Sequence, residues 1–211
     1  MKSAYDAAAR MASAAARLTG DRPQFLPPLL ALTDPHRQPD PVALIASLPP
    51  GSGVIYRHFG AADRLETARR AVTLANRKGV TILVSSDPDL ARRSGAHGIH
   101  WPERHIAQAG RMRARGSTLI FTASAHSVRA LTRARLAGID AALVSTVFPS
   151  ASRSAGRPMG PFALAAWAWQ SDMPIYALGG VNPRTVRRLE SLKISGAAVV
   201  GAIRNAGPTQ T

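Results

Sequence analysis

Two stretches near the C-terminal end of the sequence have the composition of a phosphate-binding site. Each is an apolar run followed by glycine: residues 175–178 lead into Gly179 and Gly180, and residues 197–200 lead into Gly201. Glycine lets backbone N–H groups approach an anion closely, and a following helix would add the partial positive charge of its N-terminus. Two such units in tandem predict that these glycines hold a phosphate group, although tight turns alone would also explain them.

Histidine could supply acid/base chemistry. His126 lies between Ser124 and Ser127, where a predicted strand passes into a helix. Because histidine titrates near neutral pH, His126 is the candidate catalytic residue, and a helix-starting residue without a chemical role is the alternative. His100, on a predicted strand, is equally well explained as an inward-facing side chain that forms hydrogen bonds.

Carboxylates are scarce among the residues that follow predicted strands. Asp34 and Asp87 are the two acids at such positions, with Glu103 just beyond. A hydrolase with paired carboxylates or a carboxylate-caged metal needs at least two converging acids, so both are disfavoured. Asp87 precedes a proline, so capping of the next helix and a chemical role are both open for it.

Hydroxyl groups and guanidinium groups follow two other strands. Ser150, Ser152 and Arg153 lie in the loop after the sixth predicted strand, where they would surround a phosphorylated ligand with hydrogen-bond donors. A polar lid that contacts no ligand is the alternative for this loop. Arg57 ends the second predicted strand.

Short apolar strands alternate with amphipathic helices along the chain, and these elements position the polar residues. Strands are predicted at residues 29–33, 53–57, 80–84, 98–101, 118–122, 141–144, 175–178 and 197–200, with helices from about residue 183 and after Gly201. This alternation is typical of a parallel sheet covered by helices, and about eight units favour a closed (β/α)8 barrel of the TIM type. One α/β barrel domain is expected over residues 26–211, preceded by a helical extension over residues 1–25. The ends of the strands then meet at the mouth of the barrel.

Composition narrows the classes of function. The chain has 211 residues, 45% of them hydrophobic, and its 27 Lys and Arg against 12 Asp and Glu give a formal net charge of +15. The basic residues are scattered and only 5% of the residues are aromatic, so we expect adhesion to polyanions but no specific nucleic-acid binding. The lack of cysteine excludes disulfides and thiolate chemistry. No apolar run reaches the length of a membrane span, and a cytoplasmic protein is expected.

Several motifs resemble those of the thiamine-phosphate synthase and thiazole tautomerase superfamily, in the same order. They are Thr33-Asp34, residues 95–100, residues 124–127, residues 147–153 with Gly160, residues 177–180 and residues 196–203. The resemblance implies a TIM-type barrel that binds a thiazole phosphate on the amides of Gly179, Gly180, Val200 and Gly201, with Ser150 and Ser152 nearby. Arg153 stands where the family usually has a lysine, which keeps the charge and changes its shape.

Departures from the family pattern bear on which activity is expected. In the synthase, a Gln-x-Arg-x-Lys strand end grips a pyrimidine pyrophosphate, whereas residues 55–59 retain only Arg57. Of the two magnesium-binding acids that the resemblance implies, Asp87 remains, and His105 aligns with the other, with Glu103 close by in sequence.

We therefore predict a cofactor-free isomerase of the tautomerase type, in which His126 relays a proton to and from a thiazole phosphate. The alternatives are a divergent thiamine-phosphate synthase, a transferase that would use Mg²⁺ held by Asp87, and a non-catalytic regulatory barrel that binds a phosphorylated ligand. A phosphorylated small molecule is the expected partner. No membrane partner is expected, and a homodimer is compatible with this picture.

Overall fold

Eight parallel strands form a closed barrel in the computed structural model, which describes residues 3–150, 152, 155–201 and 203. The strands are β1 (Leu29–Leu32), β2 (Gly53–Tyr56), β3 (Thr81–Ser85), β4 (Gly98–Trp101), β5 (Ile120–Ala125), β6 (Ala141–Val144), β7 (Ile175–Ala177) and β8 (Gly196–Val200). They follow one another in sequence order, and β8 closes the barrel by pairing with β1. The predicted (β/α)8 fold is therefore confirmed.

Seven α-helices are found among the described residues: α1 (Ala4–Ala16), α2 (Pro41–Ser47), α3 (Arg64–Lys78), α4 (Pro88–Ser94), α5 (Ile106–Ala114), α6 (Val128–Leu136) and α7 (Gly160–Trp169). The side chains of Asp40, Asp87 and Ser127 accept amide hydrogen bonds at the starts of α2, α4 and α6, which satisfies donors that a helix leaves unpaired. Within the described ranges, no helix combines the length and the apolar character needed to cross a bilayer.

The predicted N-terminal helix is present as α1 and packs against the barrel. Ser3 and Asp6 form a reciprocal capping box at its start. Its buried side chains include Met11 and Ala15, and the helix contacts β1, β8 and α2. Hydrophobic burial of this kind is the main force that holds a helix on a sheet. The helix therefore covers the side of the barrel where the first and last strands meet.

Large apolar side chains fill the interior of the barrel. The buried residues of this inner cluster are Leu26, Leu30, Leu32, Ile55, Leu83, Ala141, Leu143, Tyr176 and Ala198. The Tyr176 hydroxyl donates a hydrogen bond to the backbone oxygen of Pro27 at 2.7 Å, which satisfies its polar end inside the core. A Cβ atom at Gly196 would lie 2.3 Å from the Tyr176 ring, so glycine at this position makes room for the tyrosine.

Two elements differ from the sequence-based prediction. β5 ends at Ala125, three residues later than predicted, so Ser124 belongs to the strand. The helix predicted from residue 183 is wrong: a turn is followed by a four-residue 3-10 segment, Val186–Leu189. The side-chain oxygen of Asn182 accepts the amide hydrogens of Arg184 and Thr185, and this local bonding competes with helical bonding. The helix predicted after Gly201 lies outside the described residues.

Candidate phosphate-binding site

A cavity of about 320 Å³ opens where β1, β2, β6, β7 and β8 end. Its lining includes most of the residues predicted from the sequence to bind phosphate: Arg57, Ser150, Ser152, Gly179, Gly180, Val200 and Gly201. Arg153 lies outside the described residues. The strand ends thus bring together groups that are up to 144 positions apart in the chain, from Arg57 to Gly201.

The segment after β7 supplies backbone donors to this cavity. Gly179 and Gly180 have φ angles of 89° and 64°, which glycine adopts without the penalty that other residues incur. Among the described residues, no hydrogen-bond acceptor meets the amide N–H of either glycine. Because α-helical structure does not follow, the helix dipole expected behind Gly180 is absent from this segment, and the attraction for an anion rests on amides and on nearby cations.

The loop after β6 is held against this glycine segment. The amides of Val147 and Phe148 donate to the backbone oxygens of Leu178 and Gly179, each at 3.0 Å. A Cβ atom at Gly180 would lie 2.4 Å from the backbone oxygen of Pro149 in the same loop. The close approach of the two backbones therefore requires glycine there, and it brings the hydroxyl-bearing part of the loop to the cavity.

Arg57 is fixed in the cavity wall by residues that directly follow β1. Its amide donates to the Thr33 hydroxyl and its Nε donates to the Thr33 backbone oxygen, each at 2.8 Å. Burial lowers the pKa of Arg57, and the nearby carboxylate of Asp34, 3.9 Å away, opposes that shift. Arginine nonetheless keeps its charge in proteins. A fixed guanidinium of this kind is suited to bind phosphate oxygens.

Arg37 is a second cation in the cavity lining, and the sequence prediction missed it. Its Nε lies 4.0 Å from Asp34, so Arg37 and Arg57 approach the same carboxylate. Burial by itself would raise the pKa of Asp34, but amide hydrogen bonds from Arg37 and His36 and the charge of Arg57 bring it below its ordinary value. Two guanidiniums facing one ionised acid leave this wall with a positive charge.

His126 lies beside the cavity and is not part of its lining. Its side chain is exposed, with Nδ1 3.3 Å from the backbone oxygen of Ser145, a residue that does line the cavity. The His126 amide donates to Glu103 at 2.9 Å, and the other oxygen of Glu103 pairs with Arg133 at 2.8 Å. Glu103 thus positions the backbone of His126 at the rim.

His100 occupies the interior of the barrel, in keeping with its predicted inward orientation. Its Nδ1 lies 2.9 Å from the Thr122 hydroxyl, and its Nε2 lies 3.1 Å from the Ser124 hydroxyl. Burial lowers the pKa of His100 to about 3, and the charge of Arg57 adds to this effect. The ring is therefore neutral at physiological pH, and its hydrogen bond fixes the orientation of the Ser124 hydroxyl. The sequence prediction missed this contact because it ended β5 before Ser124.

Asp87 does not offer the free carboxylate that a Mg²⁺ site requires. One carboxylate oxygen accepts the amide hydrogen of Leu90 at 2.9 Å and so caps α4, and the other pairs with Arg64 at 2.7 Å. Glu103 is paired with Arg133 in the same way. Mg²⁺ binds through hard oxygen ligands whose negative charge is available to it. The acids at the ends of β3 and β4 therefore do not fit a magnesium site as they are arranged.

The fold and the cavity together define a TIM-type barrel with a cavity at the carboxyl ends of its strands, where such barrels place their active sites. The sequence model of the thiamine monophosphate synthase family matches residues 36–203, and the chain belongs to this family. The resemblance stated from the motifs is thereby confirmed.

Individual relatives agree with this assignment. The chain is 28% identical to the thiamine-phosphate synthase of Marinobacter nauticus, over 89% of this chain and 87% of that protein. A Geobacter sulfurreducens relative is 30% identical over 66% of each chain, and the match to a thiamine biosynthesis bifunctional protein of Symbiobacterium thermophilum spans 30% of that protein. The thiamine phosphate pyrophosphorylase structure from Pyrococcus furiosus shares the fold, with a TM-score of 0.70 at 20% identity over 91% of this chain and 90% of that one.

Proposed function

We propose that this chain is a transferase of the thiamine-phosphate synthase type, which binds a thiazole phosphate in the cavity and joins it to a pyrimidine pyrophosphate. The observation that carries the proposal is the convergence of the glycine amides after β7 and β8 with Arg57 and two serine residues around one cavity. The names of the relatives favour the transferase, the alternative considered from the sequence, over the tautomerase first predicted, which they leave without support.

The chemistry of the lining suits this role. A phosphate monoester would accept hydrogen bonds from the amides of Gly179 and Gly180 and from the hydroxyls of Ser150 and Ser152. The joining reaction releases pyrophosphate, an anion whose charge must be stabilised as it leaves. Arg57 adds a fixed cation to the cavity proposed to hold the thiazole phosphate, and no step in the proposal depends on a metal.

Isomerisation of a thiazole phosphate is a second candidate function, because a specific contact favours it. His126 is an exposed residue whose imidazole Nδ1 lies 3.3 Å from the backbone oxygen of Ser145 in the cavity wall, which places the ring beside the space that a ligand would occupy. A proton shift needs an anchored substrate and an acid/base group beside it. The third alternative, a barrel that binds the ligand without catalysis, shares the same phosphate site.

One assay separates these functions. Thiazole phosphate is incubated with the protein, alone or together with pyrimidine pyrophosphate, and each mixture contains either Mg²⁺ or EDTA. Thiamine phosphate and the isomerised thiazole phosphate are then quantified. Calorimetry measures the binding of thiazole phosphate separately. Formation of thiamine phosphate is expected. Binding with isomerisation alone would establish the tautomerase, binding with neither product would leave the regulatory barrel, and failure to bind would refute all three.

Two variants test the residues assigned. Arg57→Met is expected to weaken thiazole phosphate binding at least about tenfold, because a charge-assisted contact to phosphate is lost. Arg111→Met, which removes an exposed arginine from α5, is the matched control and should bind as the parent protein does. His126→Ala should retain transferase activity; if isomerisation is the activity found, the same variant should abolish it. Equal binding by the Arg57→Met and Arg111→Met variants would remove Arg57 from the site.

A further inference from the structure

The acids that follow β1, β3 and β4 each have an arginine within 4.0 Å. The pairs, with the distances between their nearest charged atoms, are Asp34–Arg57 at 3.9 Å, Asp87–Arg64 at 2.7 Å and Glu103–Arg133 at 2.8 Å. Asp87 and Glu103 lie at the strand ends where the family resemblance implied metal-binding acids. Within the described residues, no group of three or more histidine, aspartate or glutamate side chains is arranged to hold a metal ion. The positive charge at this side of the mouth therefore comes from guanidinium groups.

The Asp87–Arg64 pair is the most closely bound of the three. Arg64 begins α3, and its Nη1 donates to Oδ2 of Asp87 at 2.7 Å while its Nη2 approaches the backbone oxygen of Ser85 at 3.4 Å. The two side chains are 18% and 32% exposed, so the pair is largely shielded from solvent. The Phe59 ring lies 5.3 Å from the guanidinium and covers one of its faces. The guanidinium is thus fixed at the end of β3.

A guanidinium in this position excludes a second cation from the same carboxylate. Two like charges a few ångströms apart in a partly buried site repel strongly, and arginine cannot relieve the repulsion by losing its proton. The planar fork of arginine also matches the oxygen atoms of a phosphate group. The guanidinium of Arg64 carries five N–H groups, and its hydrogen bonds to Asp87 and Ser85 use two of them.

We infer that Arg64 takes the place of a divalent cation beside Asp87, and that this barrel binds the diphosphate group of its second substrate through guanidinium groups without a metal. The inference rests on the proposed transferase function, because that function requires a diphosphate ligand. It concerns Arg64 and Asp87, which do not line the glycine cavity, so the two can fail separately.

Calorimetric titration with inorganic pyrophosphate, in Mg²⁺ and in EDTA, tests the inference directly. The parent protein is expected to bind pyrophosphate with equal affinity in the two buffers. Binding that disappears in EDTA, or no binding in either buffer, would overturn the inference. Titration with thiazole phosphate in the same preparations tests the glycine site, so a loss confined to pyrophosphate leaves the proposed phosphate site standing.

Variants of the ion pair assign the effect to its members. Arg64→Met should weaken pyrophosphate binding in EDTA at least about tenfold, because a guanidinium contact is lost. Adding Mg²⁺ should restore part of the affinity of this variant, because Asp87 becomes free to hold a cation. Asp87→Asn, whose amide still caps α4, should bind pyrophosphate in EDTA at least as tightly as the parent protein does. Arg92→Met, at an exposed arginine of α4, is the matched control. Thermal unfolding confirms that each variant is folded.

The opposite pattern would show that Asp87 is a metal ligand. In that case Asp87→Asn would abolish Mg²⁺-dependent binding of pyrophosphate, and Arg64→Met would have no effect in EDTA. Either result would overturn the inference. Neither depends on detecting thiamine phosphate, so a protein that binds pyrophosphate without metal but forms no product would contradict the proposed function alone.

Discussion

Replacement of Gly180 by alanine should damage both the stability of the barrel and its phosphate site. The residue has a φ angle of 64°, and a Cβ atom there would lie 2.4 Å from the backbone oxygen of Pro149 and 2.7 Å from Cβ of Phe148. These are atoms of the loop after β6, and the backbone oxygen cannot move out of the way by a side-chain rotation. The loop must shift, together with the serine residues that it carries.

The size of the effect can be separated into two parts. A non-glycine residue in the left-handed conformation costs about 1–2 kcal/mol, and forcing extra atoms into a packed region costs about 1–3 kcal/mol more. Gly51→Ala isolates the first part, because Gly51 has a φ angle of 75° and nothing lies within 4 Å of its would-be Cβ. Gly180→Ala should therefore be less stable than Gly51→Ala by about 1–3 kcal/mol.

Urea denaturation measures the free energies of unfolding, and calorimetry with thiazole phosphate measures the affinity. Gly51→Ala should bind the ligand as the parent protein does, whereas Gly180→Ala should bind it at least about tenfold more weakly, because the amides and hydroxyls no longer converge. Equal stability of the two variants, together with unchanged affinity in Gly180→Ala, would refute the argument from the close approach of the two backbones.

Two further predictions concern the core around β5. Arg113 donates to the carboxylate of Asp140 at 2.8 Å and to the backbone oxygens of Gly138 and Ser117, so Arg113→Met should lower the free energy of unfolding in urea by about 1.5–3 kcal/mol. The folded barrel holds His100 neutral with a pKa of about 3 against an ordinary 6.5, so the unfolded chain binds a proton that the folded one excludes. Stability should be full above pH 6.5 and fall as the pH decreases toward 3, and His100→Gln should flatten this dependence.

Each of these predictions has its own control. Arg92→Met, at the exposed Arg92–Asp89 pair of α4, should leave stability almost unchanged, and an equal loss in the Arg113 and Arg92 variants would contradict the role given to Arg113. For His100, stability is measured at a series of pH values between 7 and 4. Parallel curves for the parent protein and His100→Gln would show that another group causes the loss at low pH.

The sequence was sufficient to predict the barrel because its strands are buried on both faces and read as short apolar runs. The pattern failed after β7, where Asn182 and Thr185 form local hydrogen bonds that end helical structure before it starts. It also stopped β5 too early, because Ser124 looks like a helix-capping residue although it lies inside the strand. Local side-chain bonding of this kind is invisible to hydrophobic periodicity.

The parts of the candidate site that need the backbone conformation of glycine could be predicted from the sequence. The parts that depend on contacts between side chains far apart in the chain could not. Gly179 and Gly180 could be found because few other residues adopt their conformation. The engagement of Asp87 with Arg64 could not, because the two residues are 23 positions apart and only the closed barrel brings them together. This pairing with Arg64 neutralises the acid that the synthase alternative would have used as a metal ligand.

The contact of α1 with the last strand has a consequence for the order of folding. Beside this contact, Arg17 at the end of α1 pairs at 2.9 Å with Glu190, which precedes β8 and is 173 positions away, so the two segments close one of the longest loops in the chain. Contacts of such long range form slowly, because chain entropy is lost before they are rewarded. The apolar face of α1 around Met11 can be fully buried only after β8 has paired with β1. We therefore expect folding to be completed where the first and last strands meet.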